Sequence, residues 1–369
     1  MTGRLPATAA VLLGVASLLM AGCSSSSTTS TPTTAPHTSN LAATFLDRYV
    51  ATDGRVVRYD QGGDTVSEGQ AYALLLAVAA HDPARFALVW NWEKANLRQP
   101  DGLFAYHWAD GQVVGAAPAT DADLDTAWAL VLAATEFRTP AYRTEGVAVA
   151  SAVLANETVT AGGLLQLVAG PWARTAPYPV DPSYFSPEAM AALAAHTGDP
   201  RWTELAVNSR QLVADLQGAG ADRSLPPDWA LLEASGTIAA SNPPSGGKPP
   251  SYGLDGQRVP VWYAADCTAS GRALAAANWP VISGLAARGA NVAYSLTGAV
   301  QDPATNDVGL VAAAASAAAA GQAGRGRSLL GDAQRGDHGA NYYGDAWVAL
   351  GTELLTTTAL SPCPPVPDG

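Results

Sequence analysis

The chain is 369 residues long and 48% hydrophobic, with 36 Gly, 10 Trp and a formal charge of −12. That length and apolar content suffice for one large packed domain or two small ones, and they exclude disorder as the state of the whole chain. The acidic balance excludes nucleic acid and anionic membrane surfaces as charge-recognised partners, since both call for clustered Lys and Arg; a neutral polymer is indifferent to the sign.

The first segment, 1–23, reads as an export signal. Arg4 precedes an apolar run, 9–20, that is too short to span a bilayer comfortably. The run ends in Met20-Ala21-Gly22-Cys23, where small residues before a cysteine resemble a bacterial lipoprotein cleavage site. Cys23 is then the lipidated N-terminus of the mature chain, with Met20 standing where Leu, Val or Ile is usual; plain secretion is the alternative. Residues 24–39, SSSSTTSTPTTAPHTS, have nothing to bury and read as a flexible tether. The expected protein is therefore exported and held at a membrane through a lipid anchor, with a folded body at 40–360 and a short tail at 361–369.

Within the body, apolar residues recur at i, i+3, i+4 and i+7 over 41–50, 68–80, 83–97, 121–137, 142–155, 187–196, 201–216, 268–285, 306–320 and 342–357. This spacing predicts roughly ten to twelve helices and no long strand series. Short strands are expected only at 56–59 and 103–108. The interval 218–255 holds Pro226, Pro227, Pro243, Pro244, Pro249 and Pro250 and reads as loop, and long ordered loops tend to be functional. The fold class is all-α; periodicity alone leaves barrel, bundle and solenoid open. Cys267 and Cys363 are the only cysteines after Cys23, so in an oxidising compartment a bridge between them is expected, with two unpaired thiols as the alternative.

Two helical runs open on a carboxylate. In 65–77, TVSEGQAYALLLA, Glu68 follows Ser67; in 119–130, ATDADLDTAWAL, Asp121 follows Thr120. A helix start offers free N–H groups and a positive dipole end, which hold a carboxylate in place. Two such groups facing one cavity suit acid–base chemistry on a sugar, although Ser or Thr before Asp or Glu is also the ordinary way to begin a helix. Asp121, Asp123 and Asp125 do not make a calcium loop, because Thr126 and Leu132 occupy the places of the required Gly and Glu. Asp125 shares the helix face of Asp121, whereas Asp123 points elsewhere and reads as structural. Neither a metal nor any other cofactor is expected.

Three segments together resemble glycoside hydrolase family 8, which includes bacterial endo-β-1,4-glucanases and the cellulases of cellulose-synthesis operons. They are SEGQAYALLLAV with Glu68, ATDADLDTAWALVLAATEF with Asp121, and YGLDGQRVPVW with Asp255 and Arg258. VDPSYF with Tyr184 and LPPDW with Asp228 and Trp229 fall between them in the family's order. The resemblance implies an (α/α)6 barrel of six inner and six outer helices. It also implies an inverting hydrolysis of β-1,4-glucan with Glu68 as general acid, Asp255 as general base and Asp121 gripping the sugar at the point of cleavage. Arg258, one helical turn after Asp255 if that segment is helical, either holds the base ionised or grips substrate.

Sugar rings stack on flat aromatic faces. The resemblance makes Trp108 the first choice as a platform, followed by Tyr184, Trp262 and Tyr343, with core packing the alternative for each. Core packing is favoured outright for Trp90, Trp92, Trp128 and Trp347. Leu254 stands where family members often carry an aromatic, and Gly256 where Ala is usual, which leaves the sugar contacts beside Asp255 open. Chitosan, xylan or a mixed-linkage glucan would be served by the same fold and acid. A surface lipoprotein that binds glycans without cutting them is the reading from another class. A monomer is expected.

Overall fold

The computed structural model describes residues 40–218, 220, 223–336 and 341–366. The segments read as signal and tether, with Cys23, lie outside the described residues. Thirteen α-helices are present among the described residues. Six of them close a ring: α2 (Ser67–Ala79) packs on α4 (Thr120–Glu136), α4 on α6 (Pro187–Thr197), and α6 on α8 (Val259–Ala265). The ring continues from α8 to α11 (Val308–Ala319), then to α13 (Tyr342–Thr356) and back to α2.

Sequence explains why these six are inside. In α2 every residue except Glu68 and Ala79 is buried, and α4 is buried without interruption from Thr120 to Val131. A helix that is apolar all round has no solvent face and must be enclosed. The outer layer is α1 (Leu41–Tyr49), α3 (Pro83–Asn96), α5 (Pro140–Asn156), α7 (Arg201–Gln217), α9 (Ala269–Ala277) and α12 (Ala323–Arg335), each packed on an inner helix. The all-α, (α/α)6 expectation is met. One short helix, α10 (Trp279–Ala286), is additional and packs on α11.

The ring's centre is filled by aromatics from four inner helices. Trp128 meets Trp262 at 6.1 Å between ring centres, Trp262 meets Trp347 at 5.3 Å, and Trp347 meets Tyr72 at 5.6 Å. All are edge-to-face, the arrangement that pairs a ring's positive rim with its neighbour's negative face.

Several elements differ from the sequence expectation. The run 268–285 is two helices, because Pro280 in the first turn of α10 cannot continue α9. The helix α8 was not expected: VPVWYAA is buried throughout and shows no polar face to reveal its period. Nor was α12, where Gly324, Gly326 and Gly331 depress helix propensity. Gly326 has a packing reason, since a Cβ there would lie 3.0 Å from the carbonyl oxygen of Ala314 on α11. Of the expected strands, Val56 and Arg58 make only isolated bridges, and in 103–108 only the last residues enter a strand.

Among the described residues the short strands form four small antiparallel sheets in the connections. One of them lies at the barrel's mouth and pairs β1 (Thr65–Val66), β2 (His107–Ala109) and β3 (Gln112–Gly115) in that order. Cys267 and Cys363 are joined in a disulfide with their Cα atoms 5.4 Å apart. The tail is docked as well as bridged: Ser361 Oγ donates to Ala265 O at 2.9 Å and Val366 N to Leu355 O at 2.8 Å.

Candidate active site

Helix starts build the site, though not through the caps the sequence suggests. Ser67 and Thr120 are the first residues of their helices, and neither caps. Their N–H groups are taken by neighbouring loops instead: Ser67 N donates to Tyr106 O at 3.0 Å, and Thr120 N to Ala169 O at 3.3 Å. Glu68 and Asp121 thus sit second in their helices, each tied to a separate loop. Asp121 Oδ1 also accepts from Ala122 N at 2.9 Å.

Between these starts is a cavity of about 150 Å³ lined by Glu68, Asp121, Tyr184, Asp255 and Arg258, with Tyr106 at its edge. Asp255 reaches it from the turn before the 3₁₀ segment Gly256–Arg258. Asp228 fixes that turn by accepting from Gly253 N at 2.8 Å, Gly256 N at 2.7 Å and Ser251 Oγ at 2.7 Å. Beyond Asp255 the space widens into a second cavity of about 710 Å³, lined among others by Trp229, Lys248, Leu254 and Gln301.

Arg258 is the hub, with a side chain only 3% exposed. Its Nη1 donates to Glu68 Oε1 at 2.6 Å, to Tyr72 OH at 2.9 Å and to Asp121 Oδ2 at 3.3 Å. Its Nη2 donates to Ser183 Oγ at 2.5 Å and lies 3.0 Å from Asp255 Oδ1 and 4.0 Å from Asp181 Oδ2. Glu68 and Asp255 are therefore held by different prongs of one guanidinium. From below, Trp347 Nε1 donates to Tyr72 OH at 3.2 Å, and Tyr72 OH donates to Glu68 Oε1 at 2.5 Å. The aromatic plug so fixes one oxygen of Glu68, whose side chain keeps 22% exposure.

Burial, with the nearby charges of Glu68 and Asp255, pushes the Asp121 carboxyl up to about 7 against the pull of Arg258. Burial and the Asp255 charge push Asp228 up to about 6. Asp181 and Asp125 are raised chiefly by burial. Away from the site, burial and then Asp266 raise Glu188 to about 7. Each of these acids keeps its proton in the folded chain at a pH where the unfolded chain has lost it. The folded state then binds more protons, so stability falls as pH rises from about 4 through about 7. Thermal melts between pH 4.5 and 8 should show Tm decreasing with pH. Asp121→Asn should flatten that slope, and an unchanged slope would contradict the burial assigned to Asp121.

The aromatic choices divide. Tyr184 lines the cavity, with the Arg258 guanidinium 5.7 Å from its ring centre. Tyr343 is half-buried and not among the residues lining the cavity; its hydroxyl has no hydrogen-bond partner among the described residues, and burial raises its pKa, as the Asp255, Glu68 and Asp121 charges also do. Trp262 belongs to the plug and is buried, so it offers no face to a sugar. Trp108 packs edge-on against Trp92 at 5.5 Å and is not among the residues lining the cavity. Tyr106, two residues earlier in the same LFAYHW segment, takes that place. Alternation could not separate the two, because Tyr106 and Trp108 share a parity and Tyr106 lies just outside the strand His107–Ala109. Trp172 was also missed. It is 45% exposed, lies 6.4 Å from Trp229, and Trp229 lies 6.3 Å from Tyr184, so three rings step outward from the cavity. Asp123, read as structural, accepts from Phe104 N at 2.8 Å and is buried away from the cavity lining.

The model of the family described as glycosyl hydrolases family 8 matches residues 13–354. The chain is 33% identical over 228 residues to a probable endoglucanase of Novacetimonas hansenii, an alignment covering 60% of this chain and 65% of that relative. It is 30% identical over 224 residues to an endoglucanase of Cellulomonas uda, covering 59% of this chain and 61% of that one. The matched region thus spans less than two thirds of these curated relatives' length. Its fold matches the solved structure of the endo-β-1,4-glucanase CMCax from Acetobacter xylinum with a TM-score of 0.70 at 25% identity, over 85% of this chain and 96% of that one.

Proposed function

Because the chain belongs to glycosyl hydrolases family 8, we propose that it is an endo-acting hydrolase of β-1,4-glucan that inverts the anomeric centre. The observation that carries the reading is the cavity shared by Glu68, Asp121 and Asp255, with Arg258 reaching all three. The similarity to proteins described as endoglucanases supports the polymer class.

Inversion takes an acid on one side of the scissile bond and a base on the other, with water between. Glu68 donates its proton to the leaving glycosidic oxygen. Its Oε1 already accepts from Tyr72 and Arg258, which leaves Oε2 to carry that proton. Asp255 takes a proton from water as the oxygen of that water bonds to the anomeric carbon and the carbon–oxygen link breaks. Asp121 meets the sugar hydroxyls at the cleavage point, and Tyr184 and Tyr343 enclose the ring. The chain works outside the cell, anchored through a lipid on Cys23.

The test is hydrolysis of soluble cello-oligosaccharides with the first product's anomeric form followed by NMR, using membrane and medium fractions of wild type and Cys23→Ser. An α product and membrane-retained activity that moves to the medium in the variant are expected. A β product would end the inverting assignment, and no cleavage of any β-1,4-glycan would end the hydrolase reading. Chitosan, xylan and mixed-linkage glucan in the same panel assign the polymer.

A further inference from the structure

Tyr106 stands at the cavity edge, 42% exposed, with its carbonyl bound to the first N–H of the helix that carries Glu68. What orients its ring is the neighbouring hairpin. The strands β2 and β3 are joined by Asp110 and Gly111, both left-handed with φ of 52° and 79°, which is the tight turn that matches strand twist. The register runs Ala109 to Gln112, Trp108 to Val113, then His107 to Gly115, so one extra residue is inserted at Val114. Such a bulge bends its strand and re-aims the neighbouring residues. Here it brings Gly115 beneath the Tyr106 ring, and the ring atoms Cε1, Cζ and Cδ1 occupy the space a Cβ on Gly115 would need. Gly115 does not have a left-handed φ, so its backbone makes no demand for glycine. The requirement the structure shows at this position is room for the ring.

We propose that Gly115 is a positioning residue that seats the Tyr106 ring as a platform for the glucopyranose unit beside Glu68. The inference rests on the proposed hydrolysis of a β-1,4-glucan and deepens it. With a Cβ at 115 the ring must swing off the hairpin, toward the cavity or into solvent. A flat sugar face then loses its stacking surface, while Glu68, Asp255 and Arg258, which sit on other elements, stay where they are.

The experiment is a double-mutant cycle read on kcat and KM for a soluble cello-oligosaccharide. Gly115→Ala is expected to raise KM about five- to tenfold, the scale of one aromatic contact, with kcat changed less than about twofold. Tyr106→Ala should raise KM by a similar factor. Adding Gly115→Ala to Tyr106→Ala should change nothing further, because the ring atoms nearest to the added methyl are then gone. Unchanged KM in Gly115→Ala overturns the proposal, as does an equal rise on both backgrounds. Should Gly115→Ala fail to fold, the double variant is compared with Tyr106→Ala: equal KM sustains the proposal, and a further rise or a second failure to fold overturns it. A wild type that cleaves no β-1,4-glycan removes the underlying reading and this one with it, whereas an active wild type lacking the predicted pattern removes only this one.

Discussion

Glu68→Gln and Asp255→Asn are each expected to cut kcat on cello-oligosaccharides by about 10²–10⁴-fold, the usual contribution of one positioned acid or base. Both substitutions keep shape and most hydrogen bonds, so KM should move little. The two roles can be told apart by the leaving group. An aryl cellobioside whose phenol is already a good leaving group needs no protonation, so Glu68→Gln should recover much of its rate there. Asp255→Asn should not recover, because water still lacks its base on that substrate. Equal recovery by both variants would exchange or dissolve the roles. Wild-type-like turnover in either would remove that residue from the chemistry.

Arg258→Met is expected to destabilise the fold by about 3–5 kcal/mol, the cost of stranding buried charge when one partner of an ion pair is removed. Four carboxylates face this guanidinium: Glu68, Asp121, Asp181 and Asp255. Asp255 and Glu68 keep 35% and 22% exposure and water screens their share, so the cost falls mainly on the buried Asp121 and Asp181 and is full only above about pH 7, where Asp121 is ionised beside Arg258. Without Arg258 these two acids rise further above their ordinary range. Proton uptake on folding then extends to higher pH, and stability lost between about pH 4 and 8 grows. Denaturant midpoints at pH 5 and pH 8 measure this directly. A variant nearly as stable as wild type with the same pH slope would make Arg258 a screened pair of little worth. Activity should vanish in either case, since both Glu68 and Asp255 lose the group that spaces them.

The sequence reveals the helices best where burial is one-sided or complete and long. The run from Ser67 to Ala79 and the run from Thr120 to Glu136 read plainly because they are long and lie between clear loops. The helix Val259–Ala265 hid because seven buried residues carry no period, and Ala323–Arg335 hid because three glycines depress its helix propensity, of which Gly326 serves a close approach to Ala314. The acids obeyed the same logic. Glu68 and Asp121 stood out as charges at the head of apolar runs, and Asp255 at the end of a proline-rich loop. Arg258 was legible as a neighbour of Asp255, but not as the cation that also faces three carboxylates from other parts of the chain, Glu68, Asp121 and Asp181.

By itself, then, the sequence determined an all-helical body and singled out Glu68 and Asp121, because apolar periodicity and a charge set against it are local properties; Asp255 was singled out by the resemblance to the family. Which aromatics meet solvent was decided only in three dimensions. Trp262 and Tyr106 are both flat rings in apolar surroundings along the chain; one fills the barrel's centre and the other stands at its mouth. That difference arises from helix-to-helix closure and from one inserted residue in a hairpin, and both depend on pairing between segments far apart in the polypeptide.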